Sequence, residues 1–296
     1  MKRCLQCLIP AGISVLHETY SVDEATPDAE KVNLKDNRCQ FCRTFNQHFD
    51  PAYLREEVNA FVQTDKPILV ALSGGKNSLV ALVLAKEKLG LNLVALTVDN
   101  GFITDNVLKF TEKTCKKLKI PWTCIKKPLL KEFQEEFQPD EDGIWQAKTG
   151  LDFNTFATQE MHKAIREWSI ENGSHRVIMG SRIHTHMEPR VSCLDMQTIE
   201  QGELNFSLCY IHLLFGLSVN NIRRKRILSD LGWKEPKIKG FSHSSVLPGF
   251  ADPAWRRKMG YGTDTGYLET ELRCGAHTLQ EAKEMIRNAK GMDLSP

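Results

Sequence analysis

A run of apolar residues, Ile68-Leu69-Val70-Ala71-Leu72, passes without a break into Ser73-Gly74-Gly75-Lys76-Asn77-Ser78 and then into a second apolar stretch that reaches Leu89. A short, continuous apolar run suits a strand buried on both faces, as parallel strands are. The second stretch reads as a helix from about Ser78 to Leu89, which puts the glycines at a strand-to-helix turn. Two glycines there let the backbone close round an anion, the hydroxyls of Ser73 and Ser78 can donate to oxygens, and a helix N-terminus favours negative charge. The spacing fits neither G-x-x-x-x-G-K-S/T nor G-x-G-x-x-G. An ordinary Gly-Gly turn with a serine cap is the alternative, and the order strand, loop, helix favours the anion site over it.

The pattern recurs along the chain. Leu93–Val98 is a second strand, ending at Asp99-Asn100-Gly101, with a helix from about Thr104 to Leu118. A third strand is expected at Trp122–Lys126, a long helix at 154–171 and a fourth strand at Arg176–Met179, ending at Gly180. Such alternation predicts an α/β fold with a doubly wound parallel sheet, whose ligands bind at the carboxyl ends of the strands. Thr97 and Asp99 are therefore candidate nucleotide contacts, with a turn or helix cap as the equal alternative for the Asp99-Asn100-Gly101 segment. Gly180 and Arg182 hold the analogous place on the fourth strand, where a guanidinium would suit a phosphate. An amphipathic helix at 51–64 carries Leu54, Val58, Phe61 and Val62 on one face. Beyond residue 200 a helix at 220–231, a Gly/Pro/Ser-rich stretch at 236–253 and a helix at 278–290 are expected. With 296 residues, 41% hydrophobic, the chain can bury a sizeable core. The expected division is 1–48, 49–200 as the nucleotide-binding α/β domain, and 201–296 as a C-terminal substrate-binding and helical extension.

Residues 1–48 have too few periodic apolar positions to make a core. They do contain Cys4 and Cys7 as one C-x2-C pair and Cys39 and Cys42 as another, the spacing of a tetrahedral Cys4 zinc site that would staple the segment as a zinc ribbon. Four unliganded thiols are the weaker alternative. The nine cysteines are an odd number, which argues against a disulfide framework. Cys115 and Cys124 fall at positions expected in the core, and Cys193 lies downstream of the fourth strand, on the expected site side.

Leu72-Ser73-Gly74-Gly75-Lys76-Asn77-Ser78 resembles the SGGxDS pyrophosphate loop of the PP-loop ATP pyrophosphatases. The resemblance implies a PP-loop/HUP-like sheet and ATP with Mg2+, the loop holding the pyrophosphate while a substrate oxygen attacks the α-phosphate. Ser73, Gly74, Gly75, Lys76, Asn77 and Ser78 would hold phosphates, with Lys76 and Ser78 in the catalytic roles and Lys76 neutralising charge on the departing pyrophosphate. Asn77 stands where that family usually has Asp; an amide still bonds a phosphate, but offers no carboxylate to magnesium. Within the superfamily the chain is most similar to the N-acetyl sugar amidotransferases of surface-polysaccharide synthesis, on the N-terminal cysteine pairs, Leu231-Gly232-Trp233, Met259–Asp264 through Leu272-Arg273, and Thr278–Ala282. The Trp145 segment departs from that family. The implied reaction replaces a carbonyl oxygen, that of a sugar acetamido group, with nitrogen. The sequence shows no glutaminase module, so a separate glutamine-hydrolysing partner is expected to supply ammonia. A sulfurtransferase acting on a small molecule, a purine or a tRNA base is the alternative, with Cys193 or Cys124 as sulfur carrier, and an ATP-binding module without turnover is the third reading.

Lys+Arg number 39 against 37 Asp+Glu, a formal +2 that marks neither a nucleic-acid nor a membrane protein by bulk charge. No stretch reads as a membrane span or a signal peptide, so a soluble, cytoplasmic chain is expected, with a homodimer left open. His184-x-His186-x-Glu188 suits solvated polar groups better than a metal site. Arg223-Arg224-Lys225-Arg226 lies on an expected helix, either as a solvated face or against an anion or partner. Arg256-Arg257-Lys258 has the same two readings, and His243-Ser244-Ser245 lacks the strained elbow of a nucleophile.

Overall fold

The computed structural model describes residues 2–12, 31–148, 153–180, 191–201, 204–234, 245–247 and 264–290. The N-terminal part has a two-stranded hairpin, β1 (Leu34–Lys35) and β2 (Arg38–Cys39), followed by helix α1 (Gln40–His48). Asp36 and Asn37 turn the hairpin with φ of 51° and 58°, the left-handed region that Asn and Asp tolerate best among residues with a Cβ. Helix α2 (Pro51–Val62) starts cleanly because Asp50 accepts from the amides of Ala52 and Tyr53, and Pro51 needs no donor in the first turn.

The centre is a six-stranded sheet. Its strands are β3 (Ile68–Ala71), β4 (Leu93–Asp99), β5 (Trp122–Lys126), β8 (Arg176–Met179), β9 (Leu194–Gln201) and β10 (Leu204–His212), in the spatial order β5-β4-β3-β8-β10-β9. A small hairpin, β6 (Phe137–Pro139) with β7 (Trp145–Ala147), lies outside it. Within the six-stranded sheet every pairing is parallel except β9 with β10. The expected four strands are all present and parallel, and strand order reverses beside β3, which sets the first crevice at the carboxyl ends of β3, β4 and β8.

Between the strands run α3 (Lys76–Val83, continued by a π turn at Leu84–Lys88), α4 (Asp105–Lys117), α5 (Leu130–Glu136) and α6 (Phe153–Glu171). Side chains alternate across β3. Ile68, Val70 and Leu72 join Leu54, Val58 and Phe61 of α2, Leu79 to Ala85 and Cys115 on one face, while Leu69 and Ala71 meet Ile165 of α6, Leu208 and Tyr210 on the other. Helices thus cover both faces, which is why β3 is apolar at every position.

The boundary drawn at residue 200 falls inside the β9–β10 hairpin, and the sheet runs on to His212. After it come α7 (Leu213–Gly216), α8 (Asn221–Leu231), α9 (Asp264–Arg273) and α10 (Leu279–Lys290). Asn220 caps α8 by accepting from the Arg223 amide, and Gly232 ends it at φ 72°. Thr278 and Glu281 form a reciprocal capping box on α10: the Thr278 amide donates to Glu281 Oε2 at 3.0 Å and the Glu281 amide donates to Thr278 Oγ1 at 3.2 Å. The N-terminal segment does not stand apart. Leu8 packs with Leu268 and Ala282, and a line of rings, Phe45, Phe49 and Phe215, runs from α1 to α7 at centroid separations of 4.9 and 5.8 Å. Among the described residues no helix is long and apolar enough to cross a membrane.

Candidate functional site

The loop between β3 and α3 is closed by its own serines. Ser73 Oγ lies 3.2 Å from Ser78 Oγ, the Gly75 amide donates to Ser73 Oγ at 3.4 Å, and Ser78 Oγ donates to the Gly75 carbonyl at 3.0 Å. Gly75 is the N-cap of α3 and supplies no capping side chain, so the first amides of the helix are offered to an acceptor from outside. Gly74 is required twice over. Its φ is +72°, and a Cβ there would lie 2.4 Å from Val107 Cγ1 and 2.8 Å from Thr111 Oγ1 on α4.

Gly180 belongs to the same constellation for a different reason. A Cβ on it would lie 2.3 Å from Ser78 Cα and 2.4 Å from Ser78 N, so the missing side chain is what lets the first turn of α3 sit on the end of β8. The hydroxyl of Thr97 is engaged within the sheet. It is buried, donating to the Leu72 carbonyl at 2.7 Å and accepting from Trp122 Nε1 at 2.9 Å, and thereby ties β4 to the end of β3 and to β5. Asp99 Oδ1 accepts from the Gly101 amide at 3.1 Å and Asn100 Oδ1 from the Phe102 amide at 3.1 Å, so this segment is an Asx turn beside the loop, with the second Asp99 oxygen outside that bond. Arg182, His184, His186, Glu188, His243, Ser244 and Arg256 to Lys258 lie outside the described residues.

One residue of the basic run is turned inward. Arg224 is 6% exposed, and its Nη1 donates to Glu271 Oε1 at 2.7 Å and to Asn77 Oδ1 at 3.3 Å. His277 Nε2 lies 3.1 Å from Arg224 Nη2 and 2.7 Å from Glu271 Oε2. A buried guanidinium from α8 is therefore balanced by a carboxylate from α9 and touches the loop residue that departs from the usual pattern. Sequence reasoning singled out the run but missed the residue, together with Glu271 and His277. The available signal was helical phase, since α8 buries Arg224 and Leu228, four residues apart, on one face. Asn77 and Arg224 also line a largely apolar cavity with Phe49, Leu214, Val219 and Thr270.

The four N-terminal cysteines converge. Their sulfurs all lie within 4.8 Å of one another, none is in a disulfide, and Cys4, Cys7, Cys39 and Cys42 are all buried. The Cys39 amide donates to Cys4 Sγ and the Cys42 amide to Cys39 Sγ, both at 3.4 Å, as in a metal knuckle. Cys7 Sγ and Cys39 Sγ are 3.7 Å apart, against an edge of about 3.8 Å for a tetrahedron with metal–sulfur bonds of about 2.3 Å. The donor set fits one tetrahedral ion. Thiolate donors with closed fourfold coordination suit a structural metal rather than a catalytic one.

Cys193 and Cys124, the candidate sulfur carriers of the alternative reading, both lie within the sheet and its packing. Cys193 is fully buried in the main core, where its amide donates to Glu57 Oε2 at 2.8 Å and its thiol to the Leu54 carbonyl. Burial, and then the Glu57 carboxylate, push that thiol well above the ordinary range. Cys124 is half-buried in the edge strand β5, with its thiol pushed up by burial and by Asp99. Cys115 is in the core as expected, pushed up to about 12 by burial.

No family model matches the chain. Among curated proteins it is 22% identical over 226 residues to an uncharacterised protein of Methanocaldococcus jannaschii, spanning 75% of this chain and 73% of that one. It is 36% identical over 87 residues to one of the subunits of the glutamine-hydrolysing GMP synthase of Methanothermobacter thermautotrophicus, a match spanning 29% of this chain and 28% of the relative. Among solved structures it is similar to an NH3-dependent NAD synthetase from Campylobacter jejuni, with 17% identity, TM-score 0.38, and coverage of 82% of this chain and 96% of the other. The U34-tRNA thiolase NcsA of Methanococcus maripaludis, bearing an iron–sulfur cluster, gives 14% identity, TM-score 0.41, and coverage of 97% and 88%.

Proposed function

We propose that this chain is an ATP-using enzyme of the PP-loop pyrophosphatase type that activates a carbonyl oxygen and replaces it with nitrogen. The observation that carries the reading is the loop at the end of β3: Gly74 with a forced close approach to α4, two serine hydroxyls, Lys76, and a helix start whose cap leaves amides for an acceptor. The substrate's carbonyl oxygen attacks the α-phosphorus of ATP, an O–P bond forms, and pyrophosphate leaves as the bond between the α-phosphorus and the bridging oxygen breaks. Ammonia then adds to the activated carbon and AMP departs with the former carbonyl oxygen. Ser73, Gly74, Gly75 and Asn77 bind the phosphates, Ser78 orients them, and Lys76 neutralises the charge that grows on pyrophosphate. Magnesium arrives with the nucleotide, and the loop offers it hydroxyls but no carboxylate. Asp99 and Gly180 border the nucleotide in this reading, Gly180 through packing.

Nitrogen is favoured over sulfur because a sulfur carrier must be a reachable thiolate, whereas Cys193 is core and Cys124 has a raised thiol. The archaeal relative is named as one part of a glutamine-hydrolysing synthase, the division of labour proposed here, with a separate glutaminase feeding ammonia. The acceptor is an N-acetyl sugar, and the ion that the four cysteines would hold is structural zinc. The test is pyrophosphate release from ATP with ammonia and a panel of N-acetylated sugar nucleotides. Lys76→Ala is expected to abolish release while keeping the thermal midpoint. Unchanged turnover in that variant overturns the assignment of the loop, and release that needs persulfide instead of ammonia overturns the nitrogen reading.

A further inference from the structure

An amide has one end that accepts and one that donates, and placement alone rarely decides which is which. At Asn77 the neighbour decides. Arg224 carries five N–H donors and no acceptor, so the Asn77 atom 3.3 Å from Nη1 must be the oxygen. Arg224 cannot turn away to release it, because Glu271 Oε1 holds the same Nη1 at 2.7 Å and the Nη2 group lies against His277 in a site that is 6% exposed. With its oxygen turned toward Arg224, the Asn77 side chain has its NH2 group to offer on the other side. Asn77 is half-buried at the second position of α3, next to the uncapped helix start.

Resting on the ATP reading of the loop, we infer that Arg224 is a positioning residue that fixes Asn77 as a hydrogen-bond donor to a nucleotide phosphate oxygen. The loop thereby grips the pyrophosphate group of ATP directly, with Asn77 outside the coordination of magnesium. An aspartate at this position would be held by the same guanidinium, but it would present a second carboxylate oxygen, which repels phosphate and attracts a divalent cation. The choice of Asn therefore sets how the loop divides its work between direct phosphate contact and magnesium. Glu271 and His277 contribute from the C-terminal segment by keeping the guanidinium in place.

The experiment measures binding of inorganic pyrophosphate and of ATP by calorimetry, with and without Mg2+, in wild type, Asn77→Asp and Arg224→Lys. Magnesium is removed by dialysis, since a chelator would also challenge the cysteine site. Wild type is expected to bind both probes without magnesium. Asn77→Asp, a substitution of equal size, should lose at least about tenfold in magnesium-free affinity, the scale of one hydrogen bond to a charged group, and recover most of it when Mg2+ is added. Arg224→Lys cannot hold Glu271, His277 and Asn77 Oδ1 at once and should lose a comparable part of the magnesium-free affinity; unchanged affinity in that variant overturns the positioning role of Arg224. If wild type binds and Asn77→Asp binds equally well without magnesium, the donor role is overturned while the ATP reading stands. If wild type binds neither probe in either condition, the ATP reading falls and this inference with it.

Discussion

The guanidinium of Arg273 lies 3.6 Å from the sulfur of Cys7, with Phe41 beneath it at 5.5 Å from ring centroid to carbon. This cation comes from α9, far along the chain, and it is balanced by Glu269 one turn back at 3.4 Å, both side chains buried. A set of four thiolates round a divalent ion carries net negative charge, which Arg273 offsets where water does not reach. Two residues earlier on the same helix, Glu271 holds Arg224 against Asn77 in the loop after β3. Helix α9 thus touches both the metal ligands and the partner of Asn77.

Replacing Arg273 with Met should remove the cation beside Glu269 and Cys7 and weaken the hold on the metal. Loss of about 3 kcal/mol of stability is expected, as for a broken buried pair. Faster zinc transfer to a colorimetric chelator would accompany it, and a variant with wild-type transfer kinetics would show that Arg273 serves only packing.

Cys39→Ser should lower zinc content, measured by elemental analysis, and with it the thermal midpoint. Binding energy on the order of 10 kcal/mol for a structural site adds to the small cluster of Ile9, Val32 and Phe41 packed round the cysteines. Because Leu8 packs on Leu268 and Ala282, amide exchange should rise in α9 and α10 as well as in the ribbon. The ATP site should stay assembled in the fraction that remains folded.

Gly74→Ala should cost about 2 kcal/mol or more, from the positive φ and the clash with Val107 and Thr111 together. Pyrophosphate release should fall further than stability does, because relief of the clash moves the loop. Chemical denaturation and turnover measured on the same preparation separate the two effects.

Cys115 yields a pH prediction. Burial raises its folded pKa to about 12 from 9.0, so above pH 9 the unfolded chain releases this proton while the folded chain keeps it. The unfolded state then binds fewer protons, and stability is full below about 9 and falls as pH rises toward about 12. Cys115→Ala should be less stable at neutral pH and should lose stability less steeply over that window, as followed by urea titration at several pH values.

Cys193→Ser and Cys124→Ser should both keep pyrophosphate release coupled to ammonia. Cys193→Ser should lose about 1 kcal/mol by placing a hydroxyl among Leu54, Gly216 and the main core. Loss of turnover with intact stability in either variant would return the sulfur reading.

What the sequence determined by itself was local. The uninterrupted apolar run at 68–72, the two glycines after it and the alternation of strand and helix specify parallel strands with a loop at their carboxyl ends, because backbone geometry and burial act over a few residues. The two C-x2-C pairs likewise specify a knuckle on each side of one ion. Tertiary structure decided which polar groups are spent internally. Thr97 lies at a strand end open to either use, and its engagement with Leu72 and Trp122 depends on two other strands meeting it. Cys193 becomes core because α2 and Gly216 close over it. Arg224 reads as one charge in a run of four, and only the convergence of α8, α9 and α3 makes it a buried cation that orients Asn77. Residues brought together from positions 77, 224, 271 and 277 leave no periodic trace in sequence, since their contact is a property of how helices pack and not of spacing along the chain.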